Sequence, residues 1–363
     1  MGTDKVDRRD FLKKVTVGTG AAAAAYSWEE HSLLAFSERA QGGPPQGAPP
    51  AGAGRQGGRG AAAAAPDVPG PMPTGKLGKF EISRLIAGHN LVVGQAHSRD
   101  LLYTSQLLQA YFTEEKILDT FASYEKRGIN ASFARMATQM TVPVKKYMKE
   151  RGGKLHWFAG LNVTEQDQTR DLDMALDMGA EFGYVHGNAS DGLFKNKRID
   201  IIGKSLEKMR AAGMVSGVCC HLIDVPMALE KEGIHPDFYV KTFNAGNYWS
   251  AGPPMEPDPK WKPSESELAQ PERGSWGNHN NLWDTTPKQT AAFMANVKVP
   301  WIGFKVLGAG AIAPREAFKY SFQNGCDFVC AGMYDFQVAD NVNVAKQIFI
   351  DKDKLGRARP WHA

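Results

Sequence analysis

Histidines stand at the ends of three short apolar runs, and they are the first candidates for chemistry in this sequence. The residues are His89, His186 and His221. Imidazoles brought together in this way could hold a divalent metal that polarises a carbonyl group or activates water. Their wide separation along the chain is not diagnostic of a ligand set, and no acidic residue stands at an equivalent position. A metal bound by these three histidines is therefore one of several chemistries that the sequence allows.

Two lysines lie in successive apolar runs, Lys241 in Tyr-Val-Lys-Thr-Phe-Asn and Lys305 in Gly-Phe-Lys-Val-Leu-Gly. A lysine near a second cation in a desolvated site has a lowered pKa and can form a Schiff base with a carbonyl substrate. The arrangement resembles that of class I aldolases, deoxyribose-phosphate aldolases especially, which carry lysines on these two strands. The alternatives are that each lysine binds an anionic substrate or points towards surrounding helices. We take Lys241, Lys305 and His186 as the candidate catalytic residues.

Amide, guanidinium and indole side chains form a second group of candidates, which are predicted to bind substrate. Amides and guanidinium groups can orient hydroxyl or carboxylate groups, and a tryptophan can stack on a sugar face. The predicted binding residues are Asn90, Arg135, Asn162, Asn244 and Trp249. The glycine-rich segment 308–312 could cradle a phosphate or carboxylate, although a tight turn explains it equally well.

Eight apolar, β-rich runs alternate with amphipathic stretches, and these elements must position the candidates. Regular β-then-α alternation indicates an α/β fold with a parallel sheet, and eight units indicate closure into a (β/α)8 TIM barrel. In that fold, polar residues at the C-terminal ends of strands face the active site. No Gly-x-Gly-x-x-Gly follows the first strand, which argues against a Rossmann sheet. The predicted strands are 84–90, 130–135, 155–162, 182–187, 215–221, 238–244, 301–307 and 328–333.

The connection after the sixth predicted strand is unusually long. Residues 245–284 show little periodicity and contain Trp249, Trp261, Trp276 and Trp283. Loops of this length in compact domains are usually functional, and disordered linkers are poor in aromatic residues. We therefore predict a lid-like insertion over the C-terminal face of the barrel.

The N-terminal residues resemble a twin-arginine (Tat) signal peptide. Arg8 and Arg9 are followed by Phe-Leu-Lys and a mildly apolar stretch, 15–26, which is too short for a stable transmembrane helix. The alternative is a basic amphipathic helix of a cytosolic protein. Residues 41–74 are rich in Gly, Pro and Ala and are predicted to be a disordered linker. The predicted organisation is thus a signal region at 1–40, this linker, and the barrel at 75–363.

The overall charge and the cysteines bear on the class of protein. A formal net charge of +4 over 363 residues, with acidic and basic residues interspersed, does not indicate a nucleic-acid partner. Cys219 and Cys220 are adjacent on a predicted strand, so their side chains point to opposite faces. Buried thiols are predicted for all four cysteines, with a Cys326–Cys330 disulfide as the less favoured alternative.

Several segments together resemble the aldo/keto reductase superfamily. They are 77–86, Gly-Ile-Asn at 128–130, Gly-Met at 332–333 and Val-Ala-Asp-Asn at 338–341. The resemblance spans most of residues 75–350 and implies a (β/α)8 barrel. Of the catalytic tetrad that the resemblance implies, only His186 has a counterpart, because Ala-Ser-Phe-Ala-Arg-Met-Ala and Ala-Gly-Leu-Asn stand where the family has its Asp, Tyr and Lys. Since hydride transfer to a carbonyl needs a proton donor, the resemblance supports the fold more than the redox activity.

These features predict an exported enzyme that acts on a small polar carbonyl or sugar-derived substrate by lysine- or metal-assisted lyase or isomerase chemistry. One alternative is an aldo/keto reductase-like oxidoreductase with a tightly bound cofactor, and another is a non-catalytic sugar-binding barrel. A divalent metal is the preferred cofactor and NADP the less favoured one. The expected partners are a small-molecule substrate and, during export to the periplasm, the Tat translocase. We expect no nucleic acid and no stable membrane span in the mature form.

Overall fold

The structure, a computed structural model, describes residues 67–95, 103–136, 140–245, 284 and 286–363. Three predictions lie outside these residues: the signal region, all but the last residues of the linker, and nearly all of the lid-like insertion with Trp249. No helix in the described part of the chain is long and apolar enough to cross a membrane.

Eight parallel strands close into a barrel with helices around it, so the predicted (β/α)8 fold is confirmed. Each barrel strand pairs with the next along the chain, and the last strand pairs with the first to close the barrel. The eight strands are β3 (Leu85–Ala87), β4 (Ala131–Arg135), β5 (His156–Leu161), β6 (Phe182–Val185), β7 (Val215–Cys220), β8 (Phe238–Thr242), β9 (Trp301–Phe304) and β10 (Phe328–Ala331).

A short antiparallel hairpin precedes the barrel and was not predicted. It consists of β1 (Thr74–Leu77) and β2 (Phe80–Ser83). Leu77 and Ile82 belong to the apolar cluster inside the barrel, and the ring of Phe80 lies 5.1 Å from that of Phe182, at the start of β6. The hairpin therefore covers the N-terminal end of the strands, opposite the end where a site is expected.

Ten α-helices are present in the described part of the chain. They are α1 (Thr104–Tyr111), α2 (Glu114–Lys126), α3 (Thr141–Arg151), α4 (Arg170–Met178), α5 (Gly187–Lys195), α6 (Ile199–Ala211), α7 (Asp224–Lys231), α8 (Pro287–Met294), α9 (Pro314–Gln323) and α10 (Val338–Ile350). Helix α5 was not predicted, because its sequence, Gly-Asn-Ala-Ser-Asp-Gly-Leu-Phe-Lys, has the composition of a loop. It follows β6 directly and brings a carboxylate to the C-terminal end of the barrel.

Alternation along the strands divides the core into two clusters. The inner cluster fills the barrel and includes Phe158, Phe182, Phe238 and Val240, whereas the outer cluster packs between strands and helices. Successive side chains of a strand point to opposite faces, so each strand contributes to both clusters. All four cysteines are free and buried, Cys219 and Cys330 in the inner cluster and Cys220 and Cys326 in the outer one.

Candidate active site

A cavity of about 290 Å³ opens at the C-terminal ends of the strands. Its polar lining includes His89, Asn90, His186, His221 and Lys305, so the structure brings together five of the predicted site residues. The inner-cluster side chains Phe133, Tyr184, Cys219, Val240 and Cys330 also line it. The site is thus a small polar mouth above an apolar barrel interior.

His221 is held by a carboxylate that the sequence did not reveal as a site residue. Its Nδ1 lies 2.7 Å from Oδ2 of Asp191, on α5. The carboxylate also accepts the backbone N–H groups of His221 at 3.1 Å and Leu222 at 3.3 Å. Burial lowers the pKa of His221, while the hydrogen bond to Asp191 opposes that shift. A histidine oriented in this way by a carboxylate is suited to proton transfer.

His89 and His186, the other two histidines of the cavity, both have lowered pKa values. Burial, with the positive charges of Arg135 and Lys305 nearby, lowers the pKa of His89 to about 3. The pKa of His186 is held well below its usual value, chiefly by burial and then by Arg135. Nε2 of His89 and Nδ1 of His186 are buried and have no hydrogen-bond partner among the described residues. Since buried polar atoms are usually paired, these two nitrogens mark places for a ligand.

Lys305 reaches the cavity because of its backbone conformation. On β9, Trp301 packs in the outer cluster and Ile302 in the inner one, so alternation would direct Lys305 outwards. Its φ of 56° is left-handed, which breaks the alternation. That conformation costs about 1–2 kcal/mol for a residue with a Cβ. Burial holds the pKa of the Lys305 ammonium well below its ordinary value.

Lys241 does not line the cavity, so the two lysines do not share a site. Tyr239 on β8 and Phe243 just after the strand pack in the outer cluster, and the Lys241 side chain is fully buried on that face. Nζ donates to the carbonyl oxygen of Thr242 at 2.9 Å and lies 3.9 Å from Oδ2 of Asp284. Strand alternation explains this placement, because Val240 faces the barrel interior. Through its ion pair with Asp284, Lys241 therefore connects β8 to the layer outside the barrel.

The predicted binding residues are only partly assembled at the cavity. Asn90 lines it. The guanidinium of Arg135 donates to Asn162 at 3.0 Å, and Asn162 donates through its backbone N–H to Asp171 at 2.8 Å, so this chain of bonds runs towards α4. Asn244 is buried and donates to the carbonyl oxygen of Lys305 at 3.3 Å, which supports the backbone of that residue. Trp249 lies outside the described residues.

The glycine-rich segment after β9 is a tight turn. The backbone N–H groups of Gly308, Gly310, Ala311 and Ile312 all donate to carbonyl oxygens within the turn. They are thus committed to the turn itself, whereas a phosphate cradle needs such groups directed at a ligand. The turn alternative therefore holds for this segment.

Sequence reasoning also missed Tyr184, Cys219 and Phe304, which line the cavity. The ring of Phe304 lies 5.7 Å from that of His221, centroid to centroid. In the sequence these residues look like ordinary core positions of a strand. Tyr184 and Cys219 each stand two residues before a strand-end histidine, and only strand alternation from that histidine could have placed them on the inner face. Asp191 could have been found by asking which acid follows a strand-end histidine within one or two helical turns.

The comparisons with solved structures concern the fold. An aldo-keto reductase from Bacillus halodurans in its holo form is 12% identical, with a TM-score of 0.48, and the match covers 80% of this chain and 99% of that one. A mutant of Gox0644 in complex with NADPH is 9% identical, with a TM-score of 0.50, over 80% of this chain and 95% of the other. The resemblance to aldo-keto reductase barrels is confirmed at the level of the fold. No protein-family model and no curated protein matches the sequence.

The comparisons and the donor geometry correct the cofactor prediction. Among the described residues, no group of three or more His, Cys, Asp or Glu side chains could hold a metal ion, so His89, His186 and His221 do not form a ligand set. The prediction of a divalent metal held by these histidines is therefore wrong. One of the solved barrels, the Gox0644 mutant, is in complex with NADPH.

Proposed function

We propose that this protein is an oxidoreductase that interconverts an alcohol and a carbonyl group with a nicotinamide dinucleotide as cofactor. The observation that carries the proposal is the pair formed by His221 and Asp191 at the cavity. It supplies a proton-transfer group in a chain whose sequence lacks the tyrosine of the aldo/keto reductase tetrad. A small-molecule substrate fits the size of the cavity, about 290 Å³.

The residues at one side of the cavity fit the nicotinamide end of such a cofactor. Phe304 and Tyr334 offer flat aromatic faces, and Asn90 and Gln95 offer amide groups that match a carboxamide. Gln337, the residue before α10, also lines the cavity, so the N-terminus of a 13-residue helix lies at the rim, where it can face a pyrophosphate. When bound, the nicotinamide would supply or accept a hydride.

His221 handles the proton in this proposal. Nδ1 is bonded to Asp191, and Nε2 is the ring nitrogen that would exchange a proton with the substrate hydroxyl. Because burial lowers its pKa, the imidazole is neutral near pH 7 and acts as a base in alcohol oxidation. In carbonyl reduction the same nitrogen returns the proton, and Asp191 stabilises the imidazolium. The amino group of Lys305 adds a hydrogen-bond donor beside the reacting oxygen.

A binding and turnover assay tests the proposal. We expect NADPH or NADP⁺ to bind the purified protein, and a panel of hydroxy and oxo compounds to change the nicotinamide absorbance. His221→Asn should lower kcat by about 10²- to 10⁴-fold while cofactor binding persists. His156→Asn is the matched control, because His156 also pairs with a carboxylate, Glu181 at 2.9 Å, but at the other end of the barrel. If the protein neither binds NADPH or NADP⁺ nor turns over any compound with them, the proposal is contradicted.

A Schiff-base lyase is the second candidate, because Lys305 is desolvated and its pKa is lowered. Borohydride treatment with carbonyl compounds, in the absence of nicotinamide, separates it from the first. A covalent adduct at Lys305 would favour the lyase, whereas turnover that depends on nicotinamide and leaves no adduct would favour the oxidoreductase.

Export through the Tat pathway is proposed from residues 1–26 alone. Replacing Arg8 and Arg9 with lysine keeps their charge, and we expect it to abolish appearance of the protein in the periplasm of a bacterium with a Tat translocase. Replacing Lys13 and Lys14 with arginine is the control and should leave export intact. Equal periplasmic shares for wild type and the Arg8/Arg9 variant, measured by cell fractionation, would rule the proposal out.

A further inference from the structure

The nitrogen bases that line the cavity have no acidic side chain beside them in its described lining. The described residues that line it include Lys305 and three histidines and no aspartate or glutamate. The carboxylate of Asp191, behind His221, is already committed to the imidazole and two backbone N–H groups. The guanidinium of Arg135 is near enough to depress the pKa values of both His89 and His186. Because these bases are buried and their pKa values are lowered, a proton can be taken up together with an anion that enters the cavity.

The hydrogen-bonding capacity of the cavity histidines also favours an anionic ligand. His89 is more than nine-tenths buried, lines the cavity, and has no hydrogen-bond partner for Nε2 among the described residues. His186 also lines the cavity, and its Nδ1 atom is buried without a hydrogen-bond partner among the described residues. A neutral imidazole can donate from one ring nitrogen, and a carboxylate offers about four acceptor sites. Two imidazoles and an amino group therefore match one carboxylate.

The strained backbone of Lys305 is a third and independent observation. Its left-handed φ of 56° turns the side chain from the outer face of the barrel into the cavity. A residue that needs no cavity amine could avoid this cost, about 1–2 kcal/mol, by being glycine or asparagine. Strain held at a cavity is typical of a functional residue.

We infer that the cavity binds a monocarboxylate, so that the substrate is a small oxo or hydroxy acid whose carboxylate lies against Lys305 and His89 while its hydroxyl or carbonyl oxygen meets His221. This inference rests on the proposed function for the reacting group, but the carboxylate site stands on its own. A dianionic phosphate fits less well, because the backbone N–H groups of Gly308 and Gly310 are bonded within the turn.

Titration calorimetry of the full chain with oxamate and oxamide tests this inference, because these molecules have equal numbers of heavy atoms and differ in one negative charge. We expect oxamate to bind at least about tenfold more tightly than oxamide. Burial lowers the pKa of Lys305 and a bound anion raises it again, so oxamate binding should take up protons. The heat of binding should then vary with the ionisation enthalpy of the buffer.

Three variants make the test specific. Lys305→Met should abolish the preference for oxamate and the proton uptake, whereas Lys305→Arg should keep the preference. Lys319→Met, at an exposed lysine of α9, should behave as wild type. Thermal melts check that each variant is folded, and the comparison of oxamate with oxamide on the wild type needs no variant.

Equal affinity for the two ligands, no oxamate binding at millimolar concentration, tighter binding of inorganic phosphate, or a folded Lys305→Met variant that keeps the preference would each overturn the inference. These outcomes are separate from those of the proposed function. Selective oxamate binding without any nicotinamide-dependent turnover would leave the carboxylate site standing and remove the oxidoreductase. Turnover of neutral carbonyl compounds with no preference for acids would do the reverse.

Discussion

Asp191→Asn should lower kcat by about 10³- to 10⁴-fold in the nicotinamide-dependent assay while leaving substrate binding nearly unchanged. The carboxylate accepts a hydrogen bond from Nδ1 of His221 at 2.7 Å, which fixes the tautomer that leaves Nε2 for the substrate. An asparagine can donate to Nδ1 and so favour the opposite tautomer. Asp191 touches His221 rather than the cavity, and it is therefore a positioning residue.

The pH profile distinguishes this role from a structural one. The hydrogen bond to Asp191 raises the pKa of His221 against the lowering by burial, so its loss lowers that pKa further. Activity in alcohol oxidation requires the neutral imidazole, so the acidic limb of the profile should move to lower pH in Asp191→Asn.

Asp171→Asn is the matched control, since Asp171 is similarly buried and accepts the backbone N–H of Asn162 after β5, as Asp191 does for His221 after β7. It has no histidine partner among its hydrogen bonds to the described residues. Equal losses of activity in the two variants would show that Asp191 acts only by holding the backbone after β7, and not through the His221 imidazole.

Asp327→Ala should destabilise the fold by about 3–5 kcal/mol, the largest single effect expected on stability. Asp327 is fully buried and accepts from Arg357 at 2.9 Å, from the backbone of Trp301 at 3.1 Å and from the backbone of His362 at 3.0 Å. A second guanidinium, that of Arg359, lies 3.8 Å away. Removing the carboxylate leaves two buried cations without their counter-charge.

Urea unfolding followed by circular dichroism measures this effect. Asp200→Ala is the control, because Asp200 forms its ion pairs with Arg198 and Lys204 at the surface, where they contribute little. A loss in Asp327→Ala no greater than that in the control would mean that the arginines find other partners. The cavity lies at the far end of the strands, so the variant that remains folded should keep its ligand affinity.

The sequence was sufficient for the architecture. Each of the eight predicted strands contains a barrel strand. Buried parallel strands have short, apolar, β-rich sequences separated by amphipathic helices, so the sequence pattern identifies them. The C-terminal ends of seven of the predicted strands were placed too far along the chain, as at 301–307 against Trp301–Phe304, since pairing stops before the apolar residues do. The hairpin β1–β2 was missed, because two four-residue strands carry too little pattern to separate them from the linker.

The sequence also placed the three histidines at the mouth, because a side chain at the C-terminal end of a barrel strand has few other places to go. It could not tell which of two lysines faces the cavity, although both stand near the ends of strands. Alternation along β8 sends Lys241 outwards, and only a left-handed residue after β9 sends Lys305 inwards. A backbone dihedral angle of that kind is held by surrounding contacts, so the local residue pattern does not predict it.

The partner of His221 was likewise decided by tertiary structure, since Asp191 lies 30 residues away on a helix of loop-like composition. The sequence by itself thus determined the barrel and the kinds of group at its mouth, whereas packing and backbone strain decided which of those groups meet.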